Sequence, residues 1–195
     1  MSVRTRALAR RVRQRPKMNL IRLSFVTALI LVCGADAQSP SPQQAQINSP
    51  YVASPPHIVD AMLEMANVTS GDTVYDLGCG DGRIVISAAK KYGARGVGID
   101  IDPTRIEEAR ANARSAGVSE QVNFQVNDLF DADIRNATVV TLYLLPEVNL
   151  RLRPRLLRDL KPGTRVVANS FGMGDWKPEK ERVIDGLHVY LWTIR

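Results

Sequence analysis

Three alternate glycines and two aspartates lie close together in the stretch Val74-Tyr-Asp-Leu-Gly-Cys-Gly-Asp-Gly-Arg83. Three glycines in five residues let the backbone turn sharply, and they let a ligand approach the main chain where a side chain would collide. The pattern predicts a buried strand, a tight turn and the first turn of a helix. By itself it fits any nucleotide site on a doubly wound sheet, and it also fits a turn that binds nothing.

Further carboxylates follow this turn at informative distances. Asp100 lies 22 residues after Gly78, the separation at which an acidic residue typically accepts hydrogen bonds from the two hydroxyls of a ribose. Asp128 follows the next predicted strand. These positions indicate a ligand that contains adenosine, without choosing among such ligands.

The charge of the glycine turn favours one of them. A dinucleotide brings a pyrophosphate to the turn, where backbone donors should meet it without a nearby carboxylate, yet Asp81 lies between the last two glycines. A misplaced pair of like charges about 4 Å apart costs on the order of 4 kcal/mol. The dinucleotide fingerprint also needs a glycine where this sequence has Arg83. S-adenosylmethionine, which carries a sulfonium and an ammonium, is therefore the predicted cofactor.

Strands and helices alternate along the chain and bring these residues together. Residues 73–77, 95–100, 122–127, 138–143 and 165–170 are predicted strands. Helices are predicted from Pro56, over 83–92, from Pro103 to Gly117 and over 150–160, with a terminal hairpin around Asp185-Gly186. The predicted fold is α/β, a doubly wound, mostly parallel, Rossmann-like sheet with a C-terminal hairpin, whose ligands bind at the carboxyl ends of the strands.

Residues 1–37 differ from the remainder in charge. They hold eight basic residues and one acid, whereas residues 38–195 hold 18 basic and 19 acidic residues, a net charge of −1. The overall charge of +6 therefore gives the folded part no electrostatic case for binding nucleic acid.

The same N-terminal residues have the anatomy of a bacterial export signal. A basic front precedes an apolar run over 23–32 and the small-residue site Ala35-Asp-Ala37. Residues 1–37 are predicted to be a signal peptide or a membrane tether, 38–50 a flexible linker, and 51–195 the folded domain. The protein is accordingly predicted to be periplasmic or membrane-tethered, or cytoplasmic if translation starts elsewhere.

Neither cysteines nor histidines predict a metal site. Cys33 lies in the leader and Cys79 in the glycine turn, where a small packing residue is expected. His57 and His188 have no sequence partner suited to catalysis or metal binding. No metal is predicted.

Four motifs together carry a resemblance to a known family. The stretch 74–83, the segment Gly96-Val-Gly-Ile-Asp-Ile-Asp102, Asn127-Asp-Leu129 and Leu142-Tyr-Leu-Leu-Pro146 resemble class I S-adenosylmethionine-dependent methyltransferases. With Tyr51-Val-Ala-Ser54 and residues 171–176, the chain is similar to small protein-lysine methyltransferases related to those acting on the ATP synthase c subunit and the adenine nucleotide translocator. The resemblance implies a seven-strand methyltransferase-type sheet and methyl transfer to a protein lysine.

The resemblance also implies roles for the cofactor-binding residues. The backbone of Gly78, Cys79 and Gly80 would hold the methionine part of the cofactor, with Asp76 orienting that loop. Asp100 would bind the ribose hydroxyls, and Ile101 would lie against the adenine. The remaining two are Asp128, which would accept from the adenine amino group, and Leu129, which would close the other side of the ring. Asp128 also fits a strand-end aspartate with no ligand.

The acceptor side is expected after the fourth strand, where the implied catalytic residues are Tyr143, Pro146 and Glu147. Aromatic walls from Tyr51, Phe171 and Trp176 would disfavour a charged ammonium and so help a lysine, with a reference pKa near 10.4, to lose its proton. Noncatalytic interpretations of two of these residues stay open. Tyr143 also fits an ordinary core residue at a strand end, and Glu147 fits a solvated acid at the start of a helix.

Other functions remain possible on the sequence alone. The segment Tyr-Leu-Leu-Pro146 differs from the Asp/Asn-Pro-Pro-Tyr motif of methylases that act on adenine or glutamine amides, which disfavours those acceptors. A small-molecule methyltransferase is one alternative. A noncatalytic exported protein that binds an adenosine ligand is the other, because an exported enzyme would be separated from its cytosolic cofactor. The expected partner is a protein lysine or a small molecule, with no nucleic acid, and a monomer is expected.

Overall fold

The computed structural model describes residues 52–195. The predicted signal peptide or tether, the predicted linker and Tyr51 lie outside the described residues. None of the helices in the described part of the chain has the length and apolar character needed to span a membrane.

The described residues form a seven-stranded sheet with helices around it, which confirms the predicted fold class. The helices are α1 (Pro56–Met65), α2 (Arg83–Tyr92), α3 (Pro103–Ala116) and α4 (Pro146–Asp159). The strands are β1 (Thr73–Leu77), β2 (Arg95–Asp100), β3 (Val122–Val126), β4 (Val139–Leu142), β5 (Arg165–Asn169), β6 (Lys180–Ile184) and β7 (Leu187–Thr193).

The strand order is β3-β2-β1-β4-β5-β7-β6. The first five strands in this order are parallel, whereas β7 pairs antiparallel with both β5 and β6. The β6–β7 hairpin turns at Asp185 and Gly186, both with positive φ, as a tight two-residue hairpin requires. The order reverses beside β1, so the carboxyl ends of β1, β2 and β4 flank the crevice in which ligands of such sheets bind.

Close packing beneath this crevice depends on two glycines of β2. A Cβ on Gly96 would lie 2.7 Å from Val85 of α2, and one on Gly98 would lie 2.6 Å from the Phe124 ring and 2.8 Å from the Cys79 sulfur. The glycines therefore let α2 and the turn before it lie directly on the sheet. Cys79 is buried, as expected for a packing residue.

Helix α4 begins earlier than the sequence predicted. It starts at Pro146 rather than Leu150, because Pro146 occupies the first turn, where a missing N–H costs nothing. Pro154 lies inside the helix, on its exposed side. The early start places Glu147 and Val148 in the first turn, at the edge of the crevice.

Candidate active site

A cavity of about 970 Å³ opens at the carboxyl ends of the parallel strands, a volume within the range of about 300–1,000 Å³ typical of ligand sites. Its walls come from the glycine turn, the ends of β2 and β3, the chain after β4, and residues 52–54. The predicted site residues that line it are Asp76, Gly78, Cys79, Asp100, Ile101, Asp128, Leu129, Tyr143 and Glu147. Gly80 and Pro146 lie in the same segments but are not among the lining residues.

The glycine turn is fixed to β2 through its backbone. The N–H groups of Gly78 and Cys79 both donate to the carbonyl of Ile99, at 2.8 and 2.9 Å. Gly78 has a φ of 82°, and a Cβ there would lie 2.9 Å from Leu144 on the opposite wall. The turn thus requires glycine both for its backbone conformation and for the space beside Leu144.

Asp100 joins this turn to the end of β2. Its Oδ2 accepts from the Gly80 N–H at 2.8 Å, and its Oδ1 accepts from the Asp102 N–H at 3.0 Å. The resemblance implied that Asp76 orients this loop; its carboxylate accepts from the Thr141 hydroxyl at 2.7 Å. Asp100, at the position predicted to bind a ribose, thus also holds the glycine loop.

Asp76 is almost completely buried. Burial raises the pKa of its carboxyl to about 7, and the negative charges of Asp100 and Asp81 add to the increase, against the hydrogen bond from Thr141. A cation in the cavity would favour the ionised form. Burial also raises the pKa of the neighbouring Cys79 thiol, so this sulfur is not an activated nucleophile.

Asp81 has a partner that was not expected from the sequence. Arg83 binds its carboxylate through two nitrogens, with Nη2 2.6 Å from Oδ2 and Nε 2.9 Å from Oδ1. The Arg83 Nη1 also donates to the Ser54 carbonyl at 2.9 Å, which ties residues 52–54 to the glycine turn. Asp81 is therefore not the uncompensated charge on which the choice of ligand was first based.

The choice of a cationic ligand is supported by the cavity as a whole. Three arginines line it, and two of them pair with carboxylates, Arg83 with Asp81 and Arg105 with Glu108. The lining carboxylates number six: Asp76, Asp81, Asp100, Asp102, Asp128 and Glu147. This excess of negative charge suits a sulfonium and an amine, and it opposes a pyrophosphate.

One compact turn after β3 carries Asp128 and Leu129, the two residues that the resemblance assigned to the adenine. The Asp128 carbonyl accepts from the N–H groups of Asp131 and Ala132, at 2.9 and 3.0 Å, and its Oδ1 accepts from the Phe130 N–H at 2.8 Å. We call residues 128–132 the adenine turn. Asp128 and Leu129 face the cavity at its start, where the sequence placed them.

The acceptor side agrees with the predictions only in part. Tyr143, Glu147 and Phe171 line the cavity. Trp176 was expected to join them, but it does not line the cavity, and its ring packs on Trp192 of β7 with 5.5 Å between centroids. Of the expected aromatic wall, Phe171 lines the cavity, Trp176 does not, and Tyr51 lies outside the described residues.

Asn169 is a structural element of this side that sequence reasoning missed. It is fully buried at the end of β5, where its Nδ2 donates to the Ser54 hydroxyl at 3.2 Å and its Oδ1 accepts from the Ser170 hydroxyl at 2.9 Å. Ser170 has a φ of 67°, and the Phe171 N–H donates back to the Asn169 carbonyl at 2.8 Å. This three-residue turn presents Phe171 to the cavity. The only sign of this role in the sequence was an amide side chain at the end of an otherwise apolar strand.

Known proteins share both the sequence and the fold of this chain. The family model of the ANTKMT methyltransferase domain matches residues 76–180. A protein-lysine N-methyltransferase of Saccharolobus islandicus is 47% identical over 150 residues, which cover 74% of this chain and 93% of that protein. The human lysine N-methyltransferase of the ATP synthase c subunit is 31% identical over 139 residues, or 71% of this chain and 59% of the human protein.

A solved structure with high identity contains the demethylated cofactor. The RNA methyltransferase of Salinibacter ruber, in complex with S-adenosyl-L-homocysteine, is 57% identical, and the match covers 73% of this chain and 94% of that one with a TM-score of 0.73. The cavity, its acidic lining and these relatives agree on the same cofactor. The chain belongs to the ANTKMT methyltransferase domain family and is an S-adenosylmethionine-dependent methyltransferase.

Proposed function

We propose that the acceptor of the methyl group is the side-chain amine of a protein lysine. The observation that carries this proposal is the composition of the cavity, which combines six carboxylates with the apolar and aromatic side chains of Leu144, Phe171 and Tyr143. Carboxylates attract a cationic amine, whereas apolar walls favour its neutral, nucleophilic form. Support also comes from the lysine methyltransferases that share this family.

In this proposal, the chain acts mainly by binding and orienting two reactants. S-adenosylmethionine supplies the methyl group. Asp100 and Asp128 hold its adenosine part, while the turn at Gly78 holds its methionine part. Phe171 and Tyr143 enclose the lysine side chain and keep its amine in line with the transferred methyl, since methyl transfer depends chiefly on attack distance and orientation.

Glu147 receives the proton that the lysine amine must lose. It lies in the first turn of α4 and lines the same cavity as Tyr143. A carboxylate there attracts the incoming ammonium and then accepts its proton, directly or through water. Replacing Glu147 with Gln removes both effects, so we expect a lower kcat with unchanged cofactor affinity.

RNA is the second candidate acceptor, because the related Salinibacter protein is described as an RNA methyltransferase. The charge of this chain opposes it. Residues 38–195 carry a net charge of −1, and the cavity lining is acidic, whereas RNA binding depends on basic surfaces that neutralise phosphates.

A direct test uses the full chain, tritiated S-adenosylmethionine and three acceptors. The acceptors are unfolded casein, the same casein with its lysine amines acetylated, and ribosomal RNA. We expect label in casein and a loss of that label after acetylation. Label in RNA with none in casein, or equal labelling of both caseins, would contradict the proposal.

Two variants serve as controls for the cofactor site in this assay. Asp100→Asn removes the carboxylate that holds the glycine loop, and we expect cofactor affinity to fall about tenfold or more, as for the loss of a charged hydrogen-bond acceptor. Asp133→Asn breaks an exposed ion pair with Arg135, and neither residue lines the cavity, so affinity should be unchanged.

A further inference from the structure

Helix α4 contacts both walls of the cavity through two separate pairs of side chains. One pair is Arg151 and Arg155, and the other is Asn149 and Arg153. Within each pair the residues are four positions apart and so share a helix face. The pairs are offset by two positions, or about 200° around the helix, so they lie on nearly opposite faces.

The first pair holds the adenine turn. The Arg155 Nη1 donates to the Leu129 carbonyl at 2.8 Å, and its Nη2 donates to the Ala132 carbonyl. The guanidinium of Arg151 lies over the Phe130 ring, 3.8 Å from the centroid. Arg155 thus binds two carbonyls of this single turn from outside, while Arg151 covers its aromatic residue from the cavity side.

The second pair holds the segment after β5, residues 171–175. The Asn149 Nδ2 donates to the Phe171 carbonyl at 3.1 Å, and the Arg153 Nη1 donates to the Met173 carbonyl at 2.9 Å. Arg153 also pairs with Asp175. Phe171 lines the cavity on the acceptor side, so these bonds fix the backbone of the acceptor wall.

We propose that Arg155 and Arg153 are positioning residues for different substrates, Arg155 for S-adenosylmethionine and Arg153 for the methyl acceptor. Neither is required to touch a reactant, since Arg155 acts through Leu129 and Arg153 acts through the segment that carries Phe171. Each bond joins a charged donor to a backbone carbonyl. We expect the loss of such a bond to weaken binding of the corresponding substrate about tenfold or more. The acceptor half of the proposal rests on lysine methylation as the function.

The test compares Arg155→Met and Arg153→Met in the full chain. Calorimetry with S-adenosylhomocysteine should show about tenfold weaker binding for Arg155→Met and unchanged binding for Arg153→Met. With casein as acceptor, the KM should rise for Arg153→Met alone. Arg155→Lys keeps the charge but not the fork that bridges two carbonyls, and should fall between wild type and Arg155→Met.

Hydrogen exchange gives a readout that does not depend on the acceptor. The amides of Phe130, Asp131 and Ala132 should exchange faster in Arg155→Met only, and those of Phe171 and Trp176 faster in Arg153→Met only, because their hydrogen bonds close the two segments. Arg114→Met is the matched control, since Arg114 is an exposed arginine in the last turn of α3 and does not line the cavity. It should change none of these quantities.

The outcomes separate this proposal from the proposed function. Suppose that each variant changes hydrogen exchange only in its own segment and only Arg155→Met weakens cofactor binding, but casein is not methylated. This result would support the positioning roles of the two arginines and contradict the lysine acceptor. Parallel effects of both variants on both segments and both substrates, or no effect of either, would overturn the assignment of the two arginines.

Discussion

The two sides of the cavity are held together in different ways. The cofactor side is formed by neighbouring turns that close on backbone groups, such as the Ile99 carbonyl that accepts from two amides of the glycine turn. The acceptor side is assembled from residues 52–54, 143–148 and 169–171, which are distant in sequence. Side-chain amides connect them, since Asn169 donates to Ser54, and Asn149, directly after residues 143–148, donates to Phe171.

This difference explains what each side can tolerate. The cofactor wall depends on φ angles and on space, besides the side chains of Asp100 and Arg155 that bind its turns, so a substitution that adds a Cβ is a further way to damage it. A wall joined by side chains depends on single polar contacts, each worth about 1–3 kcal/mol when a buried partner is left unpaired. Predictions for the two sides should therefore separate.

The largest effect is expected for Gly78→Ala on the cofactor side. The added Cβ would lie 2.9 Å from Leu144 at a φ of 82°, so conformational strain and overpacking together should destabilise the fold by about 2–4 kcal/mol. Binding of S-adenosylhomocysteine should fall below detection by calorimetry. Gly163→Ala is the control, since Gly163 has a similar φ of 88° with open space around it. Equal losses in the two variants would show that strain alone matters.

Asn169→Ala should damage the acceptor side selectively. It leaves the Ser54 and Ser170 hydroxyls without their buried partner, and we expect a loss of about 1–3 kcal/mol in the free energy of unfolding. The KM for casein should rise while the affinity for S-adenosylhomocysteine stays unchanged. Asn136→Ala, at an exposed position, controls for the loss of an amide. An equal loss of cofactor affinity would remove the separation between the two sides.

The pH dependence of cofactor binding tests the buried carboxyl of Asp76. Its folded-state pKa of about 7 exceeds the ordinary value of 3.8, so the folded protein keeps a proton that the unfolded chain has released between these values. The contribution of Asp76 to stability therefore falls as the pH rises from about 4 to 7. Binding of the cationic S-adenosylmethionine favours the ionised carboxyl, and its affinity should rise from pH 6 to 8 by less than tenfold per pH unit.

The measurement for Asp76 is calorimetry and thermal unfolding across this pH range, with Asp76→Asn as the comparison. The variant has no proton to release at this position, so both of its profiles should be flatter than those of the wild type. Parallel profiles for the two proteins would assign the pH dependence to another group.

Arg83→Gln should have the smallest effect of the series. The side chain is 36% exposed, and its ion pair with Asp81 is partly screened, so we expect a loss of at most about 1 kcal/mol in stability. Because Arg83 also binds the Ser54 carbonyl, both substrates should bind a few-fold more weakly. An effect on one substrate alone would show that Arg83 does not link the two sides. Kinetics with casein measures the KM for the acceptor, and calorimetry with S-adenosylhomocysteine measures the affinity for the cofactor.

Local patterns predicted the cofactor side well. The bounds of β1, α2 and β2 match the sequence prediction residue by residue, because each apolar run is bounded by glycine or aspartate. Asp100 was located by counting from the glycine turn and Asp128 by its position after the third predicted strand. Both line the cavity, since parallel strands bring their carboxyl ends to one edge.

The acceptor side was less predictable because its contacts are long-range. Trp176 packs against Trp192, which lies 16 residues later on β7. No local pattern predicts that pairing. The bond from Asn169 to Ser54 spans 115 residues. The start of α4 was missed because Pro146 follows the apolar end of β4 directly, so the signals for a strand end and a helix start overlap.

The most direct test of the proposed acceptor is the position of the transferred methyl group. The full chain is incubated with casein and S-adenosylmethionine carrying a deuterated methyl, and the digested casein is examined by tandem mass spectrometry. We predict deuterated methyl groups on lysine side chains, absent when Asp100→Asn replaces the wild type at a cofactor concentration that the variant cannot bind. Deuterated methyl on other residues alone, or on ribosomal RNA included in the same reaction with none on lysine, would contradict the lysine acceptor.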